Sequence, residues 1–321
     1  MKLGVFTPVF GGLGLEEMLA QVQGLGLESI ELAVGGWPGT AHVQPGEFLA
    51  EPEKLDAFRH TLCEHGLTLS ALSVHGNPLH PDPETAAAYH RDWRQALELA
   101  GRLEVETVIT FSGCPGGSAM DRTPNWITAT WPTEFLRVLE WQWTERVVPY
   151  WQEEARLART LGLKIALEMH PGFVVYHPPS ALRLREAVGD NLGVNFDPSH
   201  LYWQGIDPLA AIRALRGAIF HVHAKDTQFF EGNRREKGVL DLTPYDDLAA
   251  RSWAFRAIGN GHDETHWAQL LSELRLMGYD GAISIEHEDA LMSVDEGLRR
   301  SVEVLSRIVM REPLPQAWWT Q

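Results

Sequence analysis

Four side chains able to bind a cation or move a proton each follow directly on a short apolar run. Glu168 follows residues 163–167, Asp197 follows 192–196, His223 follows 218–222 and Glu286 follows 282–285. Runs of this length, rich in Val, Ile and Leu, read as buried strands. If those strands lie parallel and side by side, their terminal side chains converge on one rim. Three carboxylates and one imidazole then make a hard divalent-cation site, which points to a metalloenzyme.

The neighbours of these residues extend the set. Glu168-Met169-His170 puts Glu168 and His170 on the same side of a strand end, so His170 is a candidate acid or base, or a polar rim residue. Asp197-Pro198-Ser199-His200 reads either as a helix N-cap or as a ligand with a histidine beside it. The strand-end position favours the ligand. His221, His223 and Lys225 alternate onto one face. His221 reads as a hydrogen-bonded core residue, and Lys225 as a substrate contact or the partner of a nearby carboxylate. In Glu286-His287-Glu288-Asp289 the alternation alone leaves Glu286 and Glu288 both open as the inward residue.

The elements that must position these groups are legible along the whole chain. Strand-like runs at 3–7, 27–32, 67–74 and 105–111 precede the four above. Helical patterns alternate with them, opening near Leu15 and then covering 53–65, 83–103, 152–161, 179–188, 208–215, 264–277 and 294–309. Gly26, Gly66, Gly162 and Gly278 are placed to end helices in a left-handed turn. Strict alternation of eight strands with eight helices predicts a single-domain α/β protein, a (β/α)8 TIM barrel over residues 1–310, with a tail at 311–321. Long loops are expected after strands four and seven.

The carboxyl ends of barrel strands carry the chemistry in this architecture. The residues there are Thr7, Glu31, His75, Ser112, Glu168, Asp197, His223 and Glu286. His75 is expected to bond a substrate hydroxyl, and Trp37, in Gly35-Gly36-Trp37-Pro38, to wall the pocket. Glu31 reads as a satisfied structural carboxylate. Arg256 and His262 flank the Gly259-Asn260-Gly261 turn, within reach of a substrate oxygen or phosphate.

Bulk properties narrow the partners. A formal charge of −16 on 321 residues argues against a phosphate-backbone binder. Cys63 and Cys114 show neither a C-x-x-C spacing nor a disulfide framework, as expected of free thiols in a reducing compartment. Met1 runs straight into an apolar strand without a basic, signal-like leader, and no apolar stretch approaches the ~20 residues of a membrane helix. The expectation is a cytoplasmic protein with no membrane or nucleic-acid partner.

At several motifs the chain resembles the xylose isomerase-like barrel superfamily, in the group described as sugar phosphate isomerase/epimerase, AP endonuclease 2-like. The matching pieces are Ala166-Leu167-Glu168, Asn195-Phe196-Asp197-Pro198-Ser199-His200, His221-Val222-His223-Ala224-Lys225-Asp226, Gly259-Asn260-Gly261 and Gly278-Tyr279-Asp280-Gly281 leading to Ser284-Ile285-Glu286. They cover the C-terminal half strongly and the N-terminal half by topology. The resemblance implies that Glu168, Asp197, His223 and Glu286 bind one divalent cation, Mn2+ first, with Mg2+ or Co2+ as alternatives. It also places His200 near the substrate. Glu168 and Glu286 would stand on opposite faces of a sugar and move its proton, with a cation-stabilised enediolate between the two transfers.

The implied activity is a sugar isomerase or epimerase acting on a small carbohydrate. An alternative from the same resemblance is a lyase that removes the aglycone of a 3-oxo-glycoside, with Glu168 and His170 as ligand and base. Abasic-site endonucleases of the superfamily need further histidines for three zinc ions. Here the fourth strand ends Thr110-Phe111-Ser112-Gly113, and no Asp-x-His follows strand seven. A sugar-binding subunit with a relic site is the non-enzymatic alternative. A homo-oligomer is expected, with a small partner subunit as the variant.

The chain departs from simple epimerases in the segment 113–151, which holds Trp126, Trp131, Trp141, Trp143 and Trp151, in the insertion 229–253, and in the terminal Trp318-Trp319. The first two segments could form a lid for a glycoside larger than a free ketose, or the tryptophans could fill a dimer interface.

Overall fold

The computed structural model describes residues 1–314 and 319. Seven parallel staves come first: β1 Lys2–Phe6, β2 Ser29–Ala33, β3 Thr68–Ser73, β4 Thr107–Phe111, β5 Lys164–Glu168, β6 Leu192–Phe196 and β7 Ile219–Ala224. A two-stranded antiparallel ribbon follows, β8 Asp226–Phe229 with β9 Trp253–Arg256. The eighth stave, β10 Ala282–Ile285, pairs with both β1 and β7 and closes the barrel. The fold is the (β/α)8 barrel that the alternation predicts.

Helices cover the outside of the staves, so outward and inward residues are both buried and the strands read as nearly continuous apolar runs. Leu3, Val108, Ile165, Leu167, Val222 and Ile283 are sealed in the layer between strands and helices. Ala71, Ile109 and Ala166 form a separate small cluster with Phe220 packed against it. By strand alternation this is an inner plug, and the inward positions nearer the carboxyl ends are polar. Buried Glu31, Asn195, His221 and His223 therefore form a hydrogen-bonding layer directly beneath the rim.

The eight expected helices all form, at Leu15–Gly24, Pro52–Glu64, Pro83–Leu103, Val148–Thr160, Pro178–Val188, Pro208–Ala214, Glu264–Leu276 and Val294–Ile308. Their starts carry the expected chemistry: Asp82, Asp207, Asp263 and Ser293 each accept a first-turn backbone N–H. The turns at Gly26, Gly66, Gly162 and Gly278 all have positive φ, from 65° to 94°.

The two insertions differ from the expectation in instructive ways. Within 113–151, the helix Glu134–Trp141 runs through a π-helical stretch, Gln142–Val147, into Val148–Thr160. That continuous helix carries Trp143 and Trp151 into the core, at 3% and 0% exposure. Trp151 donates from its indole to the Ser112 carbonyl at 2.9 Å and meets Trp93 edge-on. These two tryptophans anchor the segment to the barrel and are unavailable to a lid. Trp126 faces Tyr176 near the rim, and Trp131 is exposed. The second insertion adds the β8–β9 ribbon and a helix at Glu231–Lys237. Of the terminal pair, Trp319 is exposed and Trp318 lies outside the described residues. No described helix is long and apolar enough to cross a membrane.

Candidate active site at the carboxyl rim

Four strand ends bring one side chain each to a common point. Glu168 closes β5, Asp197 follows β6, His223 lies in the last turn of β7 and Glu286 follows β10. One ligand atom from each lies within 4.8 Å of all the others. His223 Nδ1 is 3.0 Å from Glu286 Oε2 and 3.3 Å from Glu168 Oε2.

Their remaining atoms are tied down. His223 Nε2 faces Glu31 Oε2 at 2.8 Å, and Glu31 also accepts from the Ser73 hydroxyl. A carboxylate behind a histidine fixes its ring, so Nδ1 is the nitrogen turned toward the rim, where a cation would take the place of its proton. Asp197 Oδ1 accepts from Ser199 N at 2.8 Å in a local turn ahead of the short helix Ser199–Tyr202, whose N-cap is Pro198, while Oδ2 faces the cluster. Glu168 accepts from Asn195 Nδ2 at 3.1 Å and meets His75 Nε2 at 2.9 Å.

The donor set fits a divalent cation. Asp197 Oδ2, His223 Nδ1 and Glu286 Oε2 are all buried and have no hydrogen-bond partner among the described residues. Their close approaches to neighbouring charges lack hydrogen-bond alignment. Buried polar atoms are rarely left this way, and three together, all hard or borderline donors, suit a bound ion. A second acidic and imidazole cluster, Glu31 with His221 and His223, lies below. There His221 Nδ1 is 3.2 Å from Asn195 Oδ1, consistent with a core role.

Charge around the cluster decides its protonation. Burial works to raise the Glu168 carboxyl, but the His200 contact, the His223 charge and His75 outweigh it and hold it well below the usual range. Burial likewise opposes ionisation of Glu286, and Lys225 and His223 overcome it. Lys225 is itself buried, with Nζ 2.8 Å from Glu286, 3.1 Å from Glu288 and 3.3 Å from Asp197, and these carboxylates keep it protonated despite desolvation. His170 behaves in the opposite way. Burial, reinforced by the His200 charge, depresses it to about 3, so its imidazole is neutral near pH 7.

A cavity of about 340 Å3 opens above the cluster, walled by Phe6, Trp37, His75, Phe111, His170 and Lys225, with Glu168 and Glu286 on its surface. Trp37, 55% exposed, leans on Tyr89, Phe111 and Phe173. His200 Nε2 is 3.2 Å from Glu168 and 3.3 Å from Asp197. Arg256 is not brought to this cavity. Its guanidinium is held by Asp289 at 2.9 Å and by Gln228, because Asp289 is buried and needs a counter-charge. His262 is likewise held by Asp226, at 2.7 Å.

Three contributors were not singled out by sequence reasoning. Phe6 and Phe111 are strand-end aromatics indistinguishable from core residues by pattern. Asn195, a polar residue inside an otherwise apolar strand, carried a signal that burial would require a partner.

The Trp37 wall depends on a close backbone approach. Gly36 has φ 64°, and a Cβ there would stand 2.0 Å from the His75 carbonyl oxygen, which also accepts from Trp37 N. Gly36→Ala is expected to lower stability by about 1–3 kcal/mol or more and to displace His75 and Trp37 together. Urea unfolding, with Trp fluorescence reporting the local change, checks this.

These observations define an α/β barrel with a polar, cation-suited cluster at the carboxyl ends of its staves. The chain belongs to the xylose isomerase-like TIM barrel family, whose model matches residues 19–308. The uncharacterized protein YfiH of Bacillus subtilis (strain 168) is 41% identical over 313 residues, 96% of this chain and 99% of that protein. An inosose dehydratase of Lacticaseibacillus casei is 25% identical over 211 residues, 65% of this chain and 64% of that protein. A D-psicose 3-epimerase crystallised in the presence of D-fructose shares the fold, with a TM-score of 0.62 at 16% identity over 96% of this chain and 99% of that one.

Proposed function

We propose that this protein is a divalent-metal-dependent sugar isomerase or epimerase that moves a proton on the carbon next to a carbonyl. The observation that carries the reading is the convergence of Glu168, Asp197, His223 and Glu286 within 4.8 Å at the rim. Membership of the xylose isomerase-like TIM barrel family and a fold shared with a D-psicose 3-epimerase support it. Glu168, Asp197, His223 and Glu286 would hold the ion, Mn2+ in this reading. When bound, such an ion polarises a carbonyl oxygen and its neighbouring hydroxyl and stabilises developing negative charge.

The protein's own groups do the rest. Glu168 is ionised and lines the cavity, so it would take a proton as base, while Glu286, itself ionised, would deliver to the other face a proton drawn from the Lys225 ammonium 2.8 Å away, the proton on Glu168 then passing to solvent to restore the balance. Lys225 and His75 would supply donors to substrate oxygens, and His200, whose Nε2 lies 3.2 Å from Glu168 and 3.3 Å from Asp197 without a hydrogen-bond partner among the described residues, would face the substrate beside them. Phe6, Trp37 and Phe111 exclude water from the sugar's apolar surface.

A second reading, elimination of the aglycone from a 3-oxo-glycoside, is favoured by one observation. Neutral His170 lines both this cavity and a second one beside it, where a leaving group would lie. Incubating Mn2+-loaded protein in deuterated water with free ketoses and with a 3-oxo-glucoside separates the two. Deuterium incorporation without aglycone release is expected. Aglycone release would establish the lyase, and neither exchange nor release on any substrate would remove both.

A further inference from the structure

The cavity over the rim carries few charges, and they are unevenly shared. Its charged side chains are Glu168, Glu286, Glu288 and Lys225, so Lys225 is the one lysine or arginine among the described lining residues. The other basic groups expected near it are committed elsewhere, Arg256 to Asp289 and Gln228, and His262 to Asp226.

Lys225 is itself claimed. Its Nζ stands 2.8 Å from Glu286, 3.1 Å from Glu288 and 3.3 Å from Asp197, and of the three only Glu288 accepts a hydrogen bond from it. Glu286 Oε2 and Asp197 Oδ2 are the unpartnered atoms that suit a cation. An ion at the four-residue cluster would therefore satisfy Glu286 and Asp197 and leave Glu288 as the standing counter-ion of Lys225. The balance of charge points the same way. Glu168, Asp197, Glu286 and Glu288 bring four negative charges against one ammonium and one divalent cation, so one negative charge is left over, and Glu31 behind His223 adds another. Glu288 is the member of the four outside the ligand cluster. Its side chain is 49% exposed, against 3% for Glu168 and 15% for Glu286, so a solute entering from water meets it first. A phosphate or carboxylate on that solute would face a like charge and find Lys225 occupied. An uncharged hydroxyl meets no such repulsion.

We infer that Glu288 determines specificity by charge: held on Lys225 at the cavity mouth, it excludes phosphorylated and carboxylated sugars, and the substrate is uncharged. This rests on the sugar chemistry proposed for the cavity. Glu288 touches neither the cation nor a reacting atom in that chemistry, so a neutral sugar is bound and turned over without it.

Calorimetric titration of the Mn2+-loaded protein with D-fructose, D-fructose 1-phosphate and D-fructose 6-phosphate tests it, at low and at high sodium chloride. D-Fructose is expected to bind the native protein about tenfold tighter than either phosphate at low salt. The gap should narrow at high salt, because salt screens repulsion between charges and leaves a steric limit untouched. Glu288→Gln should tighten at least one phosphate about tenfold and leave D-fructose within about twofold, while Glu288→Asp keeps the native order. Thermal unfolding is the fold control, and Glu288→Ala takes the place of Glu288→Gln if that variant fails to fold. A phosphate that binds the native protein as tightly as D-fructose, no binding of D-fructose, a gap insensitive to salt, or unchanged phosphate affinities in the neutral variant overturns the inference. The expected preference without deuterium exchange on D-fructose would leave it standing and remove the proposed isomerase chemistry. Exchange on a phosphorylated ketose by the native protein would keep that chemistry and overturn the charge filter.

Discussion

Glu168→Gln is expected to slow deuterium exchange by about 10^3-fold or more, roughly 4 kcal/mol of transition-state stabilisation. The size follows from the number of roles one carboxylate carries in the proposed chemistry. Glu168 contributes a ligand oxygen to the four-residue cluster, lines the cavity, and meets His75 at 2.9 Å and His200 at 3.2 Å. Its neighbours keep it ionised, and an amide in its place can neither take a proton nor match their charge. Glu288→Gln is the control: that carboxylate reaches Lys225 at 3.1 Å, but its side chain is 49% exposed, so its loss should change the rate little. Exchange measured by NMR and Mn2+ affinity by calorimetry report the two roles separately. Near-native exchange in Glu168→Gln would refute its role as the base.

Glu31→Gln is expected to act through His223. Glu31 is fully buried, 2.8 Å from His223 Nε2 and bonded to Ser73. Neutralising it leaves a buried imidazole without its counter-charge, which costs about 3–5 kcal/mol in the metal-free chain. Cation affinity should fall about 10–100-fold, because the ring that presents Nδ1 loses its support. The stability difference should depend on pH in a definite direction. Burial works to raise the Glu31 carboxyl, but His223, His221 and Ser73 bring it from 4.5 down to about 2. A depressed carboxylate contributes its full stabilisation above its unfolded value and loses it as pH falls. The native and Glu31→Gln chains should therefore converge in urea midpoint as the pH is lowered from about 5 toward 2. Equal midpoints and equal cation affinity near pH 7 would leave Glu31 with no orienting role.

Glu31 also shows where sequence reasoning reaches its limit. Its burial and its satisfaction were legible, because a carboxylate within an apolar strand must find partners. Its partner was not, since His223 lies 192 residues away and only closure of the barrel brings β2 and β7 across the axis from one another. The same distinction separates the tryptophans. Trp143 and Trp151 occupy one long helix whose inner face is core, whereas Trp126 reaches the rim. A count of tryptophans in the insertion could not sort them, because helix phase is set by what the helix packs against. Arg256 is a comparable case: its motif context suggested a substrate contact, and the buried Asp289 on a different loop claims it.

By itself, the sequence determined the alternation of strands and helices, the glycine turns that end those helices, and the four strand ends at which Glu168, Asp197, His223 and Glu286 stand. All of these follow from local periodicity and short-range backbone preference. The tertiary structure decided which side chains hold those four in place, how Lys225 sits among three carboxylates, and that two cavities meet at His170. Those outcomes depend on distances between segments far apart in the chain, and such distances exist only once the barrel closes and desolvation forces each buried charge to find a partner.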